Sequence, residues 1–167
     1  MNSRHVAAFA ALFGASLCGG LLFLATAQAA DETAATVERG RYMVVVGGCN
    51  VCHTASYVEK EGKVPEKDWL MGNPIGWHGP WGTTYAGNLR WGPGMFDESG
   101  YVSWIRSKRT KPPHPWYDLG QWTDQDLKAL YQFLKMLGTA GSPSSGSLAP
   151  GLEPKPPYYN LVLPLAK

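Results

Sequence analysis

Five consecutive residues, Cys49-Asn50-Val51-Cys52-His53, constrain this chain more than any other feature of its sequence. They follow the pattern C-x-x-C-H, in which two thiols three positions apart can each bond one vinyl group of a porphyrin while the adjacent histidine binds the iron. The motif therefore predicts one covalently attached haem c, held by Cys49 and Cys52, with His53 as an iron ligand.

Three other interpretations of the motif compete with a haem. A redox-active C-x-x-C is expected beside a strand-helix-strand unit, and the surrounding sequence shows no such pattern. A structural zinc site needs four ligands, and His53, His78 and His114 lack the close H-x₃₋₅-H pairing of two-cysteine, two-histidine sites. A simple disulfide leaves His53 and the glycine-rich loops that follow it without a role.

Residues 1–30 predict an export signal. Arg4 supplies a positive start, an apolar run follows, and small residues end the segment just before Asp31, as at signal cleavage sites. Because an apolar stretch of about 20 residues can also span a bilayer, retention as a membrane anchor is the alternative. Cleavage predicts a periplasmic protein whose only cysteines are those of the motif, since Cys18 leaves with the signal.

The formal net charge of +2 gives no indication of nucleic-acid binding.

The remainder predicts one mainly helical domain, at 31–137, and a tail at 138–167. The strongest helix signal lies at the end of the domain, over 123–137, where Thr123 is a good N-cap and leucines recur at helical spacing. The tail is rich in proline, glycine and serine, which predicts irregular structure. Its terminal tyrosines and aliphatic residues indicate that it packs back on the domain.

Weaker patterns predict two more helices, over 33–46 and 101–109. Between them, residues 54–100 are rich in glycine and show little periodicity, so long loops and short turns are expected there. A chain with such long loops needs something besides its own side chains to pack against, which a large apolar cofactor would provide.

Four segments resemble the small bacterial c-type cytochromes related to the cytochrome subunits of periplasmic alcohol dehydrogenases. They are VERGRYMVVVGGCNVCHT, WGTTYAGNL, WTDQDLKALYQFLKMLG and PPYYN. The resemblance implies an all-α fold, the cytochrome c fold, with three to four helices and long loops around one haem. It also implies that the first and last helices cross, with Gly40 and Tyr42 or Val45 meeting Tyr131 and Leu134.

The sequence departs from this family at the sixth iron ligand, where the family has a methionine in a loop of the form PPMPW. The matching segment here is PPHPW, at 112–116, so His114 takes the methionine's place. The resemblance thus implies His/His ligation by His53 and His114, with Met95 as the runner-up for the sixth position. Because a histidine donates more strongly to ferric iron than a thioether does, the reduction potential is expected to be lower than in a methionine-ligated relative.

The resemblance also suggests further cofactor contacts, because the propionate carboxylates of a haem need hydrogen-bond donors. The candidate donors are Tyr85, Asn88, Arg90 and Trp91. Arg90 replaces a threonine of the family, so no family role carries over to it. The carbonyl of Pro74 is a candidate acceptor for the second ring N–H of His53, a contact that would orient the imidazole.

Together these features predict a periplasmic carrier of single electrons, and not an enzyme, acting between a dehydrogenase-type donor and a respiratory acceptor. Its expected partners are redox proteins such as a dehydrogenase, an oxidase or another cytochrome, with no nucleic acid and no membrane span after signal cleavage. The alternative is a haem enzyme or gas-binding sensor, which needs an open or easily displaced sixth position on the iron.

Overall fold

The computed structural model describes residue 28 and residues 30–162. The expected export signal at 1–30 lies almost wholly outside the described residues, as does the end of the tail at 163–167. The chain divides between Thr36 and Val37 into two compact units, and the described residues of the first unit are helical. Within the described residues, none of the helices combines the length and the apolar character needed to cross a membrane.

Helices account for most of the regular structure. The first, α1, covers 30–46, and the others are α2 (Cys49–His53), α3 (Gly92–Met95), α4 (Glu98–Ser107), α5 (Trp116–Leu119) and α6 (Asp124–Leu137). Two short 3₁₀ helices cover Glu66–Asp68 and Leu89–Trp91. The helices predicted over 33–46, 101–109 and 123–137 are confirmed as α1, α4 and α6, with bounds that differ by a few residues.

Helix α6 forms where its capping residues predict it. The side chain of Thr123 accepts a hydrogen bond from the backbone N–H of Asp126 at 3.1 Å, which satisfies one of the donors left free in the first turn. Gly138 ends the helix with a positive φ of 71°. The apolar face of α6 lies in the core, and its buried residues are Leu127, Ala129, Leu130, Tyr131, Phe133 and Leu134. Val44, Leu70, Tyr101 and Ile105 complete this core from other parts of the second unit.

Within the second unit, α1 touches α6 at Gly40. A Cβ atom at Gly40 would lie 2.0 Å from the carbonyl oxygen of Ala129 and 2.7 Å from the Cβ of Phe133, so the two backbones meet there with no room for a side chain. The helices therefore meet at the expected glycine, but the atoms nearest to it belong to Ala129 and Phe133 and not to the expected Tyr131 and Leu134. Tyr42 and Val45 do not take part as expected, because their exposed fractions are 55% and 48%.

A small sheet of three short strands corrects the all-α expectation. Strand β1 (Gly76–Gly79) pairs antiparallel with β2 (Gly82–Tyr85) and parallel with β3 (Tyr158–Asn160), in the order β2-β1-β3. The strands were expected to be loop and irregular tail, because four residues rich in glycine give no clear alternation. The fold is thus mainly helical with a small sheet, and the sheet joins the tail to the loop region.

The close approach of the tail to β2 also explains why residue 82 is a glycine. Gly82 has a φ of 95°, and a Cβ there would lie 2.2 Å from the carbonyl oxygen of Leu148. Next to it, the backbone of Thr83 exchanges hydrogen bonds with that of Leu148, at 3.2 and 2.9 Å. The tail therefore runs directly against β2 before β3 pairs with β1.

We expect Gly40→Ala to lower the free energy of unfolding by about 1–3 kcal/mol, because the added methyl forces the two helices apart. Urea unfolding measures this loss. Gly146→Ala is the matched control, since nothing lies within 4 Å of a Cβ at that position and its stability should change by less than about 0.5 kcal/mol. Equal stability of the two variants would contradict the contact between α1 and α6.

Candidate haem-binding site

The two cysteines lie on the short helix α2, three residues apart and therefore on one face of the helix. Gly48, with a left-handed φ of 66°, precedes this helix and separates it from α1. Both thiols are free and partly buried. Burial raises the pKa of Cys49 to about 11 and also raises that of Cys52. This is the opposite of the lowered pKa that activates a redox C-x-x-C.

His53, at the end of α2, has a defined ring orientation. Its Nδ1 lies 2.7 Å from the carbonyl oxygen of Gly87. Because a carbonyl only accepts, Nδ1 carries the proton and Nε2 of the neutral ring has a free lone pair. Burial lowers the pKa of His53 to about 4, with the charges on His114 and Lys108 adding to the effect and the bond to Gly87 opposing it. Within the described residues, Nε2 has no hydrogen-bond partner.

The acceptor for Nδ1 is therefore Gly87 and not Pro74, which corrects the expectation from the sequence. Gly87 lies two residues beyond β2, in the segment WGTTYAGNL. Since the contact uses only the backbone of Gly87, no side chain marks it in the sequence.

His114 is the residue that the fold brings to His53. The two ring centres are 6.3 Å apart, and the ring planes are nearly perpendicular, at 84°. Since a bond between a metal and an imidazole nitrogen is about 2.0–2.1 Å long and the ring centre lies about 1.1 Å further on, two imidazoles on opposite sides of one metal ion have ring centres about 6.3 Å apart. The spacing of His53 and His114 matches that arrangement.

The Nδ1 atom of His114 is buried and has no hydrogen-bond partner among the described residues. Burial lowers the pKa of this histidine, and the charge of Lys108 lowers it further. The ammonium of Lys108 lies 3.8 Å from the centre of the Trp104 ring, and its charge lowers the pKa of both imidazoles. Lys108 is a feature of the site that the sequence analysis missed.

Met95, the runner-up for the sixth position, ends α3 with an exposed fraction of 65%. His78 lies on β1, where its Nδ1 is 2.9 Å from the hydroxyl of Thr83 and its ring packs edge-on against Tyr158. Met95 is therefore exposed and His78 has other partners, whereas the ring of His114 lies edge-on to that of His53.

Two of the expected propionate donors have other partners. Asn88 donates from Nδ2 to the carbonyl oxygens of Ala140 at 2.7 Å and Ser142 at 3.0 Å, and its Oδ1 accepts from the backbone of Arg90. These contacts tie the loop before the second 3₁₀ helix to the chain beyond α6. The expectation that Asn88 serves a propionate is therefore not supported.

Arg90 is only 6% exposed, and its guanidinium donates entirely to backbone carbonyls. Its Nε donates to Gly138 at 2.6 Å, its Nη1 to Lys67 at 2.7 Å, and its Nη2 to Leu137. The last carbonyl groups of a helix have no hydrogen-bond partner within the helix, and the guanidinium supplies donors to those of α6. Its positive charge also interacts favourably with the negative end of the helix dipole. Arg90 is thus a structural cap and not a free donor.

The remaining candidates are Tyr85 and Trp91. The Tyr85 hydroxyl has no hydrogen bond among the described residues. The indole N–H of Trp91 is buried and unpaired, and so is that of Trp81, which the sequence analysis did not single out. Because a buried donor without a partner is costly, the acceptor for each indole N–H is an ordered water or a bound group from outside the described chain.

Two further observations bear on which group the site could hold. Among residues 28 and 30–162, no three His, Cys, Asp or Glu side chains are grouped closely enough to hold a bare metal ion. A porphyrin supplies four nitrogens and leaves two axial positions, which a pair of imidazoles can fill.

Comparison of the chain with family models, curated proteins and solved structures finds no match. The interpretation of the site therefore depends on its own geometry.

We expect Arg90→Lys to lower the free energy of unfolding by about 1.5–3 kcal/mol, because one ammonium cannot replace a planar guanidinium whose three nitrogens donate to three carbonyls. Denaturant unfolding followed by circular dichroism measures the change. Arg109→Lys is the control, since Arg109 is exposed and its hydrogen bonds go only to neighbouring backbone. Its guanidinium also lies 4.4 Å from the centre of the Trp116 ring, a contact that a lysine can make, so a change below about 0.5 kcal/mol is expected. A loss no larger than that of the control would show that Arg90 does not hold α6.

Proposed function

We propose that this protein is a monohaem c-type cytochrome that transfers single electrons. In this proposal the haem is attached to Cys49 and Cys52, and its iron is bound by His53 and His114. The observation that carries the proposal is the 6.3 Å separation of the two imidazole centres directly beside two free thiols. The haem, when bound, supplies one-electron chemistry at iron, and the protein supplies attachment, axial ligands and a rigid setting.

The geometry of His53 supports its role as an axial ligand. A metal-binding histidine normally donates its other ring N–H to a carbonyl or carboxylate, which sets the tautomer and orientation of the ring. The bond from Nδ1 to Gly87 is a contact of this kind, and it leaves Nε2 free to bind. Because that bond holds the ring of His53 and His114 would supply the second ligand, the protein would need little rearrangement between the two oxidation states of a bound haem.

The contact of α1 with α6 at Gly40 supports the finer assignment to a cytochrome c fold, in which the first and last helices cross. The unpaired indoles of Trp81 and Trp91 support a bound group that carries acceptors, and haem propionates are such acceptors. Each observation concerns a different part of the second unit, and both agree with the proposal.

The proposed setting is the periplasm, which follows from the expected export signal and from the attachment motif. There the protein would pass electrons from a dehydrogenase-type donor to a respiratory acceptor through a small, transient interface. The position of His114 favours this carrier over a haem enzyme or gas-binding sensor, since those functions need a vacant or weakly filled sixth position.

We expect His114→Ala to convert the ferric iron from low spin to high spin and to allow prompt carbon monoxide binding in the reduced protein, because one strong axial ligand is lost. Visible absorption spectra of both oxidation states measure this change. Met95→Ala is the matched control, since it removes the other candidate ligand from an exposed position, and its spectra should equal those of the wild type. A low-spin His114→Ala variant would overturn the ligand assignment, and a colourless wild-type protein would overturn the function.

A further inference from the structure

A surface groove that does not include His53 or His114 is lined by aromatic, apolar and acidic side chains. Its volume is about 190 Å³, and it lies between the exposed edge of α2, the loop that follows α2, and the sheet. Its lining residues include Val51, Tyr57, Glu59, Ile75, Trp77 and Tyr159. Val51 and Tyr159 are large apolar side chains that the fold leaves exposed, so the groove presents an apolar surface without a covering partner in the described chain.

Aromatic rings form much of this surface and are held in position. The rings of Trp77 and Tyr159 lie 4.8 Å apart with an angle of 34° between their planes, which joins β1 to β3 through side chains as well as backbone. The Tyr57 ring packs edge-on against Trp69 at 6.1 Å. Three electron-rich rings therefore line one small groove before any ligand is bound.

A carboxylate completes the groove. Glu59 has no ion pair and no hydrogen bond among the described residues, whereas the neighbouring Glu61 pairs with Lys63 at 2.8 Å. Asn73, which also lines the groove, is neutral, and its amide oxygen accepts a hydrogen bond from the backbone of Ile75. The groove thus combines three aromatic rings with one carboxylate that has no ion pair among the described residues.

We propose that this groove binds a small alkylammonium ion. Aromatic faces attract such cations through their quadrupoles, the alkyl groups bury apolar surface, and the carboxylate of Glu59 supplies a counter-charge. A neutral ligand of the same shape gains only the apolar part of this interaction. The proposal does not depend on the cofactor, because none of its steps involves the thiols or the two histidines.

The test is calorimetric titration of the purified protein with choline and with 3,3-dimethylbutan-1-ol, which has the same shape without the charge. We expect choline to bind in the millimolar range and about fivefold or more tightly than the alcohol. Sodium chloride at the same ionic strength should give no binding heat. Equal binding of the two compounds, or no binding of choline, would overturn the proposal.

Paired variants locate the binding. Glu59→Gln should weaken choline binding by about two- to fivefold, and Tyr159→Leu should do the same through loss of one aromatic face. Glu61→Gln removes an equal charge close by but outside the groove, so choline binding should not change. Equal losses in Glu59→Gln and Glu61→Gln would show that general electrostatics, and not this groove, attract the cation.

Discussion

The hydrogen bond from Nδ1 of His53 to the carbonyl oxygen of Gly87 is the contact on which the site depends. It sets the tautomer of the imidazole, leaves Nε2 without a proton, and joins α2 to the segment that follows β2. Without it, the ring could rotate about its side-chain bonds, and its spacing from His114 would not be defined. One backbone acceptor therefore determines what the motif of two thiols and a histidine can bind.

That acceptor is held in place by residues whose role is structural. Asn88, next in the chain, bonds to the segment beyond α6 through its side chain and through its backbone N–H, which donates to Ser144 at 2.5 Å. Arg90 caps the end of α6. Because both residues connect chain segments about fifty positions apart, the stability of the last helix and the position of the Gly87 carbonyl are coupled. Two of the four donors expected to serve a cofactor therefore hold the chain around the site instead.

The sequence predicted the parts of the structure that depend on local signals. Thr123 and the leucines of α6 specify their helix through capping and periodicity. The contact between helices at Gly40 was expected only from the resemblance, and the structure shows that there is no room for a side chain there. The sheet was missed because its parallel pair joins strands about eighty residues apart, a contact that no local pattern reveals. The hydrogen-bond acceptor at Gly87 was missed for a related reason, since a carbonyl group is present at every position. His114 could be proposed from the sequence only because its neighbours matched a known loop.

Low-temperature electron paramagnetic resonance of the ferric wild-type protein is the decisive measurement. If His53 and His114 bind the iron of a haem with their ring planes crossed at 84°, each imidazole would interact with a different one of two iron d orbitals, and these orbitals would remain close in energy. We therefore expect a strongly anisotropic, nearly axial low-spin signal from one haem per chain. A rhombic low-spin signal would contradict the crossed rings, a high-spin signal would contradict the two histidine ligands, and the absence of any haem signal would contradict the proposed function itself.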